Sequence, residues 1–324
     1  MRALITGANG FVGTWLARAL VERGEQVRAL VRRLPAGGGL GETPVEVVVG
    51  DVTDIASLGP ALRDMEVVFH LAGIRRSPSR QTFFDVNAGG TRNLCEAMAR
   101  AGARRLVLCS SLAASGPSRN GRPKREEEPF QPEEWYGESK AEAERIAFSY
   151  LPRFEVTAVR PCRILGPGDR ENLIFFKCVK KGFRIRIGGG PRPLSLVDVS
   201  DVVALLCIAA DQRAANGEAF FATAPQTTTL EEVQDAVAAA LAVPVRTIAV
   251  PAFALRALGA LADVASQVSG KNLPLNRKLV RQLLAPAWTC SGEKAQRVLG
   301  FSVSISIVDS IKRSAAWYQR EGWI

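Results

Sequence analysis

The sequence predicts an α/β protein, in which a doubly wound parallel β-sheet carries helices on both faces and a smaller C-terminal α+β lobe follows. Two observations predict this class. Residues 2–6 form a short apolar run of strand length that leads directly into a cluster of glycines, and a helix-period segment follows at residues 11–23. Further apolar runs of strand length then alternate with helix-period segments, which is the pattern of βαβ units in a parallel sheet.

The glycine cluster has the spacing G-x-x-G-x-x-G, at Gly7, Gly10 and Gly13. A strand, a glycine turn and a helix in this order are typical of a dinucleotide site. Gly7 permits the tight turn, Gly10 lets the backbone approach a pyrophosphate, and Gly13 lets the helix lie close to the sheet. The helix N-terminus supplies N–H groups and a partial positive charge. We therefore predict that this turn binds a dinucleotide; a glycine-rich turn without a ligand is the alternative.

The end of the second predicted strand, residues 26–31, indicates which dinucleotide is bound. A strand that prefers NAD ends in an acid that accepts a hydrogen bond from the ribose 2′-hydroxyl. Here the strand ends in Val31 and is followed by Arg32 and Arg33. Two guanidinium groups can form charge-assisted contacts with a 2′-phosphate. We predict that NADP(H) is preferred; NAD(H) is the alternative if these arginines are solvated loop residues.

Tyr136 and Lys140 form a candidate catalytic pair on a helix-period segment, residues 135–151. Their i, i+4 spacing places both side chains on one face of the helix, one turn apart. An ammonium group at that distance lowers the pKa of a phenol, so we expect Tyr136 to exchange a proton near neutral pH. Such a tyrosine needs a redox cofactor beside it, which the glycine turn would bind. An exposed helix face without a catalytic role is the alternative.

Composition argues against several other classes of function. The single histidine, His70, ends a predicted strand, which argues against a hydrolase triad or a histidine-ligated metal site. The six cysteines show no C-x-x-C spacing, so we expect neither a disulfide framework nor a bound metal. The net charge of +10 is spread along the chain, so we expect no nucleic-acid partner. No leader precedes the first strand and no apolar run could span a bilayer, so we expect a cytoplasmic protein.

Several motifs resemble those of the extended short-chain dehydrogenase/reductase family, which includes NAD(P)-dependent epimerase/dehydratases, 3β-hydroxysteroid dehydrogenases and dihydroflavonol reductases. The resemblance covers nearly the whole chain and implies a Rossmann-type sheet. The matching motifs are TGANGFVG at residues 6–13, GDVTD at 50–54, HLAG at 70–73, DVNAGGTRNL at 85–94, LCSSLAASG at 108–116, YGESK at 136–140, RPCRILGPGD at 160–169 and LVDVSDVV at 196–203. Together they indicate the family but not the substrate.

The resemblance implies a role for each matching residue. Tyr136 would be the catalytic acid/base, Lys140 would bind the nicotinamide ribose and lower the tyrosine pKa, and Ser111 would hydrogen-bond the reacting oxygen. Asp51 and Val52 would contact the adenine. The remaining cofactor contacts that the resemblance implies are Gly7, Asn9, Gly10, Phe11, Val12, Gly13, Leu71, Ala72, Gly73, Asn87 and Pro161, in addition to Tyr136 and Lys140 themselves.

Two departures from the family pattern narrow the predicted reaction. Members that dehydrate nucleotide sugars usually carry an Asp-Glu pair after the catalytic Ser or Thr, whereas residues 112–114 here are Leu-Ala-Ala. The segment Val159-Arg160-Pro161 is closer to the steroid- and flavonol-reducing branch. We therefore predict an oxidoreductase that interconverts a carbonyl and a secondary alcohol on a small hydrophobic substrate. A nucleotide-sugar epimerase with tightly bound NAD and a non-catalytic dinucleotide-sensing protein are the alternatives.

We expect a nucleotide-binding domain at residues 1–165 and a substrate-binding lobe at residues 166–324, with the chain free to cross back between them. Residues 116–134 are polar and proline-rich, so we expect a surface loop near the substrate entrance. The resemblance implies a homodimer formed by the helices at residues 82–101 and 135–151. The apolar segment 251–268 predicts a stripe that covers the substrate, contacts a membrane surface, or packs inside the lobe or against another subunit. The stripe consists of Phe253, Leu258, Leu261, Val264 and Val268.

Overall fold

A computed structural model describes residues 1–34, 39–269 and 276–324, without the side chains of residues 266–269. Seven parallel strands form the main sheet in the order β10-β6-β5-β4-β1-β2-β3. The strands are β1 (Arg2–Thr6), β2 (Gln26–Val31), β3 (Glu46–Val49), β4 (Val67–His70), β5 (Arg105–Cys109), β6 (Glu155–Pro161), β7 (Arg163–Leu165), β8 (Phe183–Ile187), β9 (Pro193–Asp198), β10 (Ala219–Ala222), β11 (Thr227–Thr229) and β12 (Arg246–Val250). The parallel sheet confirms the predicted fold class.

Thirteen α-helices are found within the described residues. They are α1 (Phe11–Glu22), α2 (Leu58–Leu62), α3 (Arg80–Phe83), α4 (Gly90–Ala101), α5 (Leu112–Ser115), α6 (Trp135–Phe148), α7 (Leu173–Lys180), α8 (Val199–Asp211), α9 (Leu230–Leu241), α10 (Ala252–Ser269), α11 (Arg277–Leu283), α12 (Glu293–Leu299) and α13 (Ile307–Arg320). A π-helical segment, Phe84–Gly89, joins α3 to α4. None of the described helices is both long enough and apolar enough to cross a membrane.

The main sheet is buried on both faces, which explains why its strands are almost continuously apolar in sequence. Successive side chains of a strand point to opposite faces. Ile5 accordingly packs with Leu16 of α1 and Leu206 of α8 on one face, whereas Leu4 packs with Leu94 of α4 on the other. Both faces therefore have a hydrophobic core of their own.

A third core, from β7 onward, holds the C-terminal lobe together. Phe176 of α7, Val237 of α9 and Tyr318 of α13 are buried in it. The lobe also contains a three-stranded sheet, β11-β9-β7, and a two-stranded sheet, β12-β8. Strand β10 lies beyond residue 165 but completes the main sheet beside β6. The division of the chain into two domains at residue 165 stays a prediction.

The side chain of Gln234 acts as a short substitute for a strand at the free edge of β8. Its Oε1 accepts a hydrogen bond from the backbone N–H of Ile185 at 2.8 Å, and its Nε2 donates to the backbone carbonyl of the same residue at 2.9 Å. Nε2 also donates to the carbonyl of Leu230 at 3.0 Å, so the buried amide is satisfied. The partner strand β12 lies along the other edge of β8.

The loop at residues 116–134 is exposed over much of its length, as expected of a surface loop, but some of its residues are buried. Ser118 and Lys124 are buried because the loop forms β-bridges with residues 287 and 290. The Ser118 hydroxyl contacts the Thr289 hydroxyl at 2.7 Å, and the Lys124 backbone N–H donates to the Thr289 carbonyl at 2.9 Å. The polar composition was misleading for these two residues, because they bond to a distant segment.

Candidate active site

The glycine turn between β1 and α1 has the geometry that binding of a pyrophosphate requires. Gly7 adopts a φ of +70°, and its carbonyl accepts a hydrogen bond from the Gly10 N–H at 2.9 Å. A Cβ atom on Gly7 would lie 2.7 Å from the backbone nitrogen of Ala72, and one on Gly13 would overlap the Gly7 carbonyl. Only glycine fits at either position.

The N-terminus of α1 is open to an anion. Gly10 provides no side-chain cap, and the first turn contains no acidic residue. Asn9 and Gly10 are exposed, and Phe11 and Val12 begin the helix. Uncapped N–H groups at a helix N-terminus carry a partial positive charge, so these residues fit the phosphates of a dinucleotide.

The segments that follow β2 and β3 lie at the same edge of the sheet. Arg32 and Arg33 are exposed, and neither forms an ion pair with any residue that the structure describes. The carboxylate of Asp51 accepts hydrogen bonds from the backbone and the hydroxyl of Thr53, both at 2.9 Å. Val52 is buried, and its carbonyl accepts from Asn93 at 2.9 Å. Two cations are thus free to contact a 2′-phosphate.

Asn87 ties the end of β4 to α6. Its Oδ1 accepts from the Ile74 N–H at 2.8 Å, and its Nδ2 donates to the Ile74 carbonyl at 3.1 Å and to the Ser139 hydroxyl at 2.8 Å. Leu71, Ala72 and Gly73 lead into this loop, and a Cβ on Gly73 would lie 2.9 Å from Asn87 Oδ1. Asn87 therefore holds the strand end in place, while Ser139 is a contact that the sequence did not indicate.

His70 lies in a closed chain of hydrogen bonds. The Thr91 hydroxyl donates to the Asn87 carbonyl at 2.6 Å, so it accepts from His70 Nε2, which lies 2.9 Å away. His70 Nδ1 then accepts from the Thr6 hydroxyl at 2.7 Å, which in turn accepts from the Ala72 N–H at 3.1 Å. Burial, together with the charge of Lys140, lowers the pKa of His70 to about 3. His70 is therefore a packed residue, and both of its ring nitrogens are occupied.

Ser111, Tyr136 and Lys140 come together where β5 ends. Ser111 caps α5 by accepting from the Ala113 N–H at 3.1 Å, and its hydroxyl is near enough to Tyr136 to lower the pKa of the phenol. Lys140 Nζ donates to the carbonyl of Cys109 at 2.6 Å. Helix α6 approaches α5 so closely that a Cβ on Gly137 would overlap the Ala113 carbonyl. The predicted trio therefore shares one site, at the same edge of the sheet as the glycine turn and with β4 between them.

An arginine guanidinium lies over the Tyr136 ring. Burial raises the pKa of Tyr136, while the guanidinium of Arg75 and the nearby Ser111 hydroxyl act in the opposite direction. The Arg75 guanidinium lies 5.6 Å from the ring centroid. Burial lowers the pKa of Lys140. The expected lowering of the Tyr136 pKa by Lys140 is therefore wrong for the chain alone, in which the net direction is upward.

A second arginine lies beside Arg75. Burial, together with the positive charge of Arg75, lowers the pKa of Arg163 on β7. The Arg163 guanidinium donates a hydrogen bond to Asn172 Oδ1 at 3.1 Å. Within the described part of the chain, neither arginine has a carboxylate at ion-pair distance. The adjacent Arg76, in contrast, pairs with Glu171 at 2.7 Å. The sequence signal for Arg75 was weak: two arginines shortly after the HLAG motif.

The carboxylate of Glu134 is occupied by the backbone. Its two oxygens accept from the N–H groups of Tyr136 at 2.7 Å and Gly137 at 2.9 Å, which caps α6. Burial raises its pKa despite these bonds. Glu134 therefore fixes the start of the tyrosine helix and has no free oxygen aimed at a substrate.

The end of β6 is joined to α6 by a buried ion pair. Pro161 is buried at the sheet edge, and Arg160 before it forms a buried ion pair with Glu144 of α6. Arg160 Nε lies 3.0 and 3.2 Å from the two carboxylate oxygens, and Arg160 Nη1 donates to the Glu126 carbonyl at 3.0 Å. The structure thus brings the predicted site residues to one edge of the sheet, and their contacts with substrate and cofactor stay predictions.

The model of the NAD dependent epimerase/dehydratase family matches residues 3–221. The ceramide reductase of Caulobacter vibrioides is 29% identical over 99% of this chain and 95% of that protein. The sterol demethylase protein B of Methylococcus capsulatus is 35% identical over 69% of this chain and 70% of its own length. The crystal structure of UDP-glucose 4-epimerase from Thermus thermophilus in complex with NAD has a TM-score of 0.79 at 22% identity. That likeness covers 98% of this chain and 99% of the epimerase, and it shows a common fold.

Proposed function

Since this chain belongs to the NAD dependent epimerase/dehydratase family, we propose that it interconverts a carbonyl and a secondary alcohol on a small hydrophobic substrate. Members of this family are NAD(P)-dependent oxidoreductases, epimerases and dehydratases, so the chain is an enzyme of that type. The observation that carries the proposal is the shared position of Ser111, Tyr136 and Lys140 beside the glycine turn.

The proposed reduction needs a hydride and a proton. A dinucleotide bound at the glycine turn would supply the hydride for the carbonyl carbon. Ser111 donates a hydrogen bond to the carbonyl oxygen and orients it, and the Tyr136 hydroxyl then gives its proton to that oxygen. Lys140 would hold the nicotinamide ribose in place. Because the pKa of Tyr136 is raised, the phenol is protonated at neutral pH and ready to act as the acid. In the oxidising direction the same atoms act in reverse.

The surroundings of Ser111 favour simple hydride transfer over dehydration. Dehydration needs a second acid/base to remove a proton and protonate a leaving hydroxyl. Residues 112–114, the first three of α5, are Leu-Ala-Ala and supply no such group. Glu134, the acid beside Tyr136, is used to cap α6.

The class of substrate rests on the relatives. A protein named ceramide reductase and a protein named sterol demethylase protein B are among those similar to this chain, and both names refer to lipids. This supports a lipid-like substrate, in agreement with the steroid-reducing pattern at Arg160 and Pro161. For the cofactor we propose NADP(H), because Arg32 and Arg33 are exposed and unpaired within the described chain.

One observation favours the nucleotide-sugar epimerase as a second candidate. Arg75 lies over the Tyr136 ring, and Arg163 is near enough to Arg75 for the two charges to interact; neither has a paired carboxylate among the described residues, as a diphosphate substrate would require. An epimerase oxidises and re-reduces within one turnover, so it would hold NAD tightly and show no net change of cofactor. Bound NAD in the purified protein, with a UDP- or GDP-sugar raising its Tm, would favour this candidate.

We also propose a homodimer, on the resemblance alone, with α4 and α6 forming the seam between subunits. The two helices pack side by side in the structure and so offer one continuous surface. Sedimentation velocity of the purified protein would show the dimer, and a strictly monomeric protein at micromolar concentration would rule out a stable one.

The decisive experiment replaces Tyr136 with Phe. This variant keeps the ring but removes the proton, so we expect turnover to fall by ~10²–10⁴-fold. Cofactor binding, measured by fluorescence titration, should stay near that of the wild type. A panel of ketosteroids, flavonoids, acyl carbonyls and nucleotide sugars, screened by thermal shift with NADP⁺ present, would supply the substrate. Turnover close to the wild type in Tyr136→Phe would refute the assignment.

A further inference from the structure

Helix α10 exposes an apolar face that nothing in the described chain covers. Phe253, Leu258, Leu261 and Val264 are 74%, 50%, 66% and 53% exposed, respectively. At 3.6 residues per turn these four side chains lie on one side of the helix. These residues belong to the apolar stripe that the sequence predicted. The alternative that the stripe packs inside the lobe is wrong for these four residues, because they are exposed. The side chain of Val268 lies outside the described part.

The opposite face of α10 is firmly packed on α11, so the apolar face has a fixed outward direction. Gly259 is buried, and a Cβ there would lie 2.8 Å from a methyl group of Val280. Asp263 accepts a hydrogen bond from the Arg277 N–H at 3.3 Å, and its carboxylate lies 3.5 Å from Arg277 Nε. The exposure is therefore not a consequence of a detached helix.

The charge of the two helices indicates what covers the apolar face. Helices α10 and α11 together contain four basic residues, Arg256, Arg277, Lys278 and Arg281, and one acidic residue, Asp263. Arg256 and Arg281 are exposed and form no ion pair with a described residue. An apolar face on a helix pair with a net positive charge is typical of a helix that lies in the interface of an anionic lipid membrane.

A second copy of the chain fits this face less well. In a two-fold dimer the same patch meets itself. The basic residues of one subunit would then approach those of the other, and like charges at an interface are unfavourable. An anionic bilayer, in contrast, can neutralise the cations with its headgroups and also bury the apolar side chains.

The helix pair also contacts the helix that carries Tyr136. Lys278 of α11 lies over the ring of Trp135, with Nζ 4.1 Å from the ring centroid, and Trp135 directly precedes Tyr136. We propose that the face formed by Phe253, Leu258, Leu261 and Val264, together with the exposed Arg256 of α10 and Arg281 of α11, docks the enzyme on an anionic lipid surface. This inference concerns binding alone and does not depend on the proposed reaction.

The first test measures binding to vesicles of phosphatidylcholine alone and of phosphatidylcholine mixed with phosphatidylglycerol. The wild type should bind the anionic vesicles more tightly. Phe253→Ser combined with Leu261→Ser should bind both kinds at least roughly tenfold more weakly, because two apolar side chains no longer enter the bilayer. Val308→Ser is the matched control, since Val308 is 51% exposed on another helix and should leave binding unchanged.

The second test concerns the cations. Arg256→Gln with Arg281→Gln should weaken binding to the anionic vesicles by roughly tenfold or more and leave binding to neutral vesicles unchanged. Arg18→Gln with Arg297→Gln gives the same net charge by removing two exposed cations elsewhere, and it should bind like the wild type.

Three results would overturn the proposal. The first is a wild type that binds anionic vesicles no more tightly than neutral ones. The second is an Arg18 and Arg297 control that loses as much binding as the α10–α11 variant, which would assign the attraction to overall charge. In the third, sedimentation velocity shows that Phe253→Ser with Leu261→Ser converts a dimer into a monomer while vesicle binding stays unchanged, and a second copy would then be the occupant. Circular dichroism and Tm equal to the wild type confirm that each variant is folded.

Discussion

Arg75 lies over the ring of Tyr136 although it belongs to the loop after β4 and not to α6. Its guanidinium is the strongest influence that lowers the pKa of Tyr136 against the effect of burial. Lys140, which the i, i+4 spacing suggested for this task, instead donates to the Cys109 carbonyl. We therefore infer that Arg75 adjusts the pKa of Tyr136, whereas Lys140 binds the ribose of the cofactor.

Replacing Arg75 with Gln should raise the Tyr136 pKa further. Oxidation of an alcohol needs the phenolate, so its rate at neutral pH should fall by about three- to tenfold and its pH profile should move upward. Reduction at neutral pH needs the protonated phenol and should hardly change. Stopped-flow or steady-state rates in both directions across pH would show this. Arg76→Gln is the control, because Arg76 pairs with Glu171 instead, and an unchanged oxidation profile in Arg75→Gln would contradict the role.

Arg32 and Arg33 decide the choice of cofactor if they contact a 2′-phosphate. Charge-assisted contacts contribute ~1.5–3 kcal/mol each when well formed, and less at exposed positions such as these. Arg32→Ala with Arg33→Ala should therefore weaken NADP(H) binding roughly tenfold or more and leave NAD(H) binding nearly unchanged. Added salt should weaken NADP(H) binding more than NAD(H) binding. Equal losses for both cofactors, measured by titration, would show that the two arginines are ordinary surface charges.

Helix α6 carries Tyr136 and Lys140, and buried contacts from several directions fix its position. Asn87 reaches Ser139 from the π-helical segment, Gly137 packs against α5, and Arg160 of β6 pairs with Glu144. The Arg160 and Glu144 side chains are 6% and 1% exposed. A buried pair of this kind adds little net stability, but the removal of one partner leaves the other charge without compensation.

Arg160→Met should therefore lower the free energy of unfolding by about 3–5 kcal/mol. Arg160→Met combined with Glu144→Met removes both charges and should recover part of that loss. Arg100→Ala is the matched control, since its pair with Glu96 is exposed and should change stability by no more than about 0.5 kcal/mol. Urea unfolding at neutral pH measures all three, and a single Arg160→Met variant as stable as the control would show that Glu144 is compensated by other groups.

The sequence predicted local elements better than contacts between distant ones. The glycine turn, the helix that contains Tyr136 and the parallel sheet could be predicted, because each depends on the spacing of residues that are close in sequence. Arg75 could not be assigned, since its role depends on where the loop after β4 passes over α6. The burial of Ser118 and Lys124 was missed for the same reason, because their partners lie near residue 289. Helix α6 ends at Phe148, three residues before the end of the segment predicted by periodicity.

The stability of the whole molecule should depend on its single histidine. His70 is buried and neutral in the folded chain, and its pKa of about 3 lies below the ordinary value of 6.5 that it regains on unfolding. The unfolded chain therefore takes up a proton first as the pH falls. The contribution of His70 to stability is fully present above about pH 6.5 and is progressively lost as the pH falls toward about 3.

We expect the free energy of unfolding to fall by about 2 kcal/mol between neutral pH and about pH 5 through His70 alone. His70→Gln can keep hydrogen bonds to Thr6 and Thr91 but does not titrate, so this part of the slope should disappear in the variant whatever its absolute stability. Urea unfolding of both proteins over the pH range gives the comparison. Identical slopes would mean that His70 is protonated in the folded state or that its charge is compensated there.

The amide of Gln234 has a consequence for how molecules behave toward one another in solution. A two-stranded sheet at a protein surface normally offers a free edge on which a foreign strand can dock and begin aggregation. In this chain the amide already engages both the donor and the acceptor of Ile185, in the middle of β8. One side chain therefore closes this edge to recruitment of a neighbouring molecule, without adding a strand to the sheet.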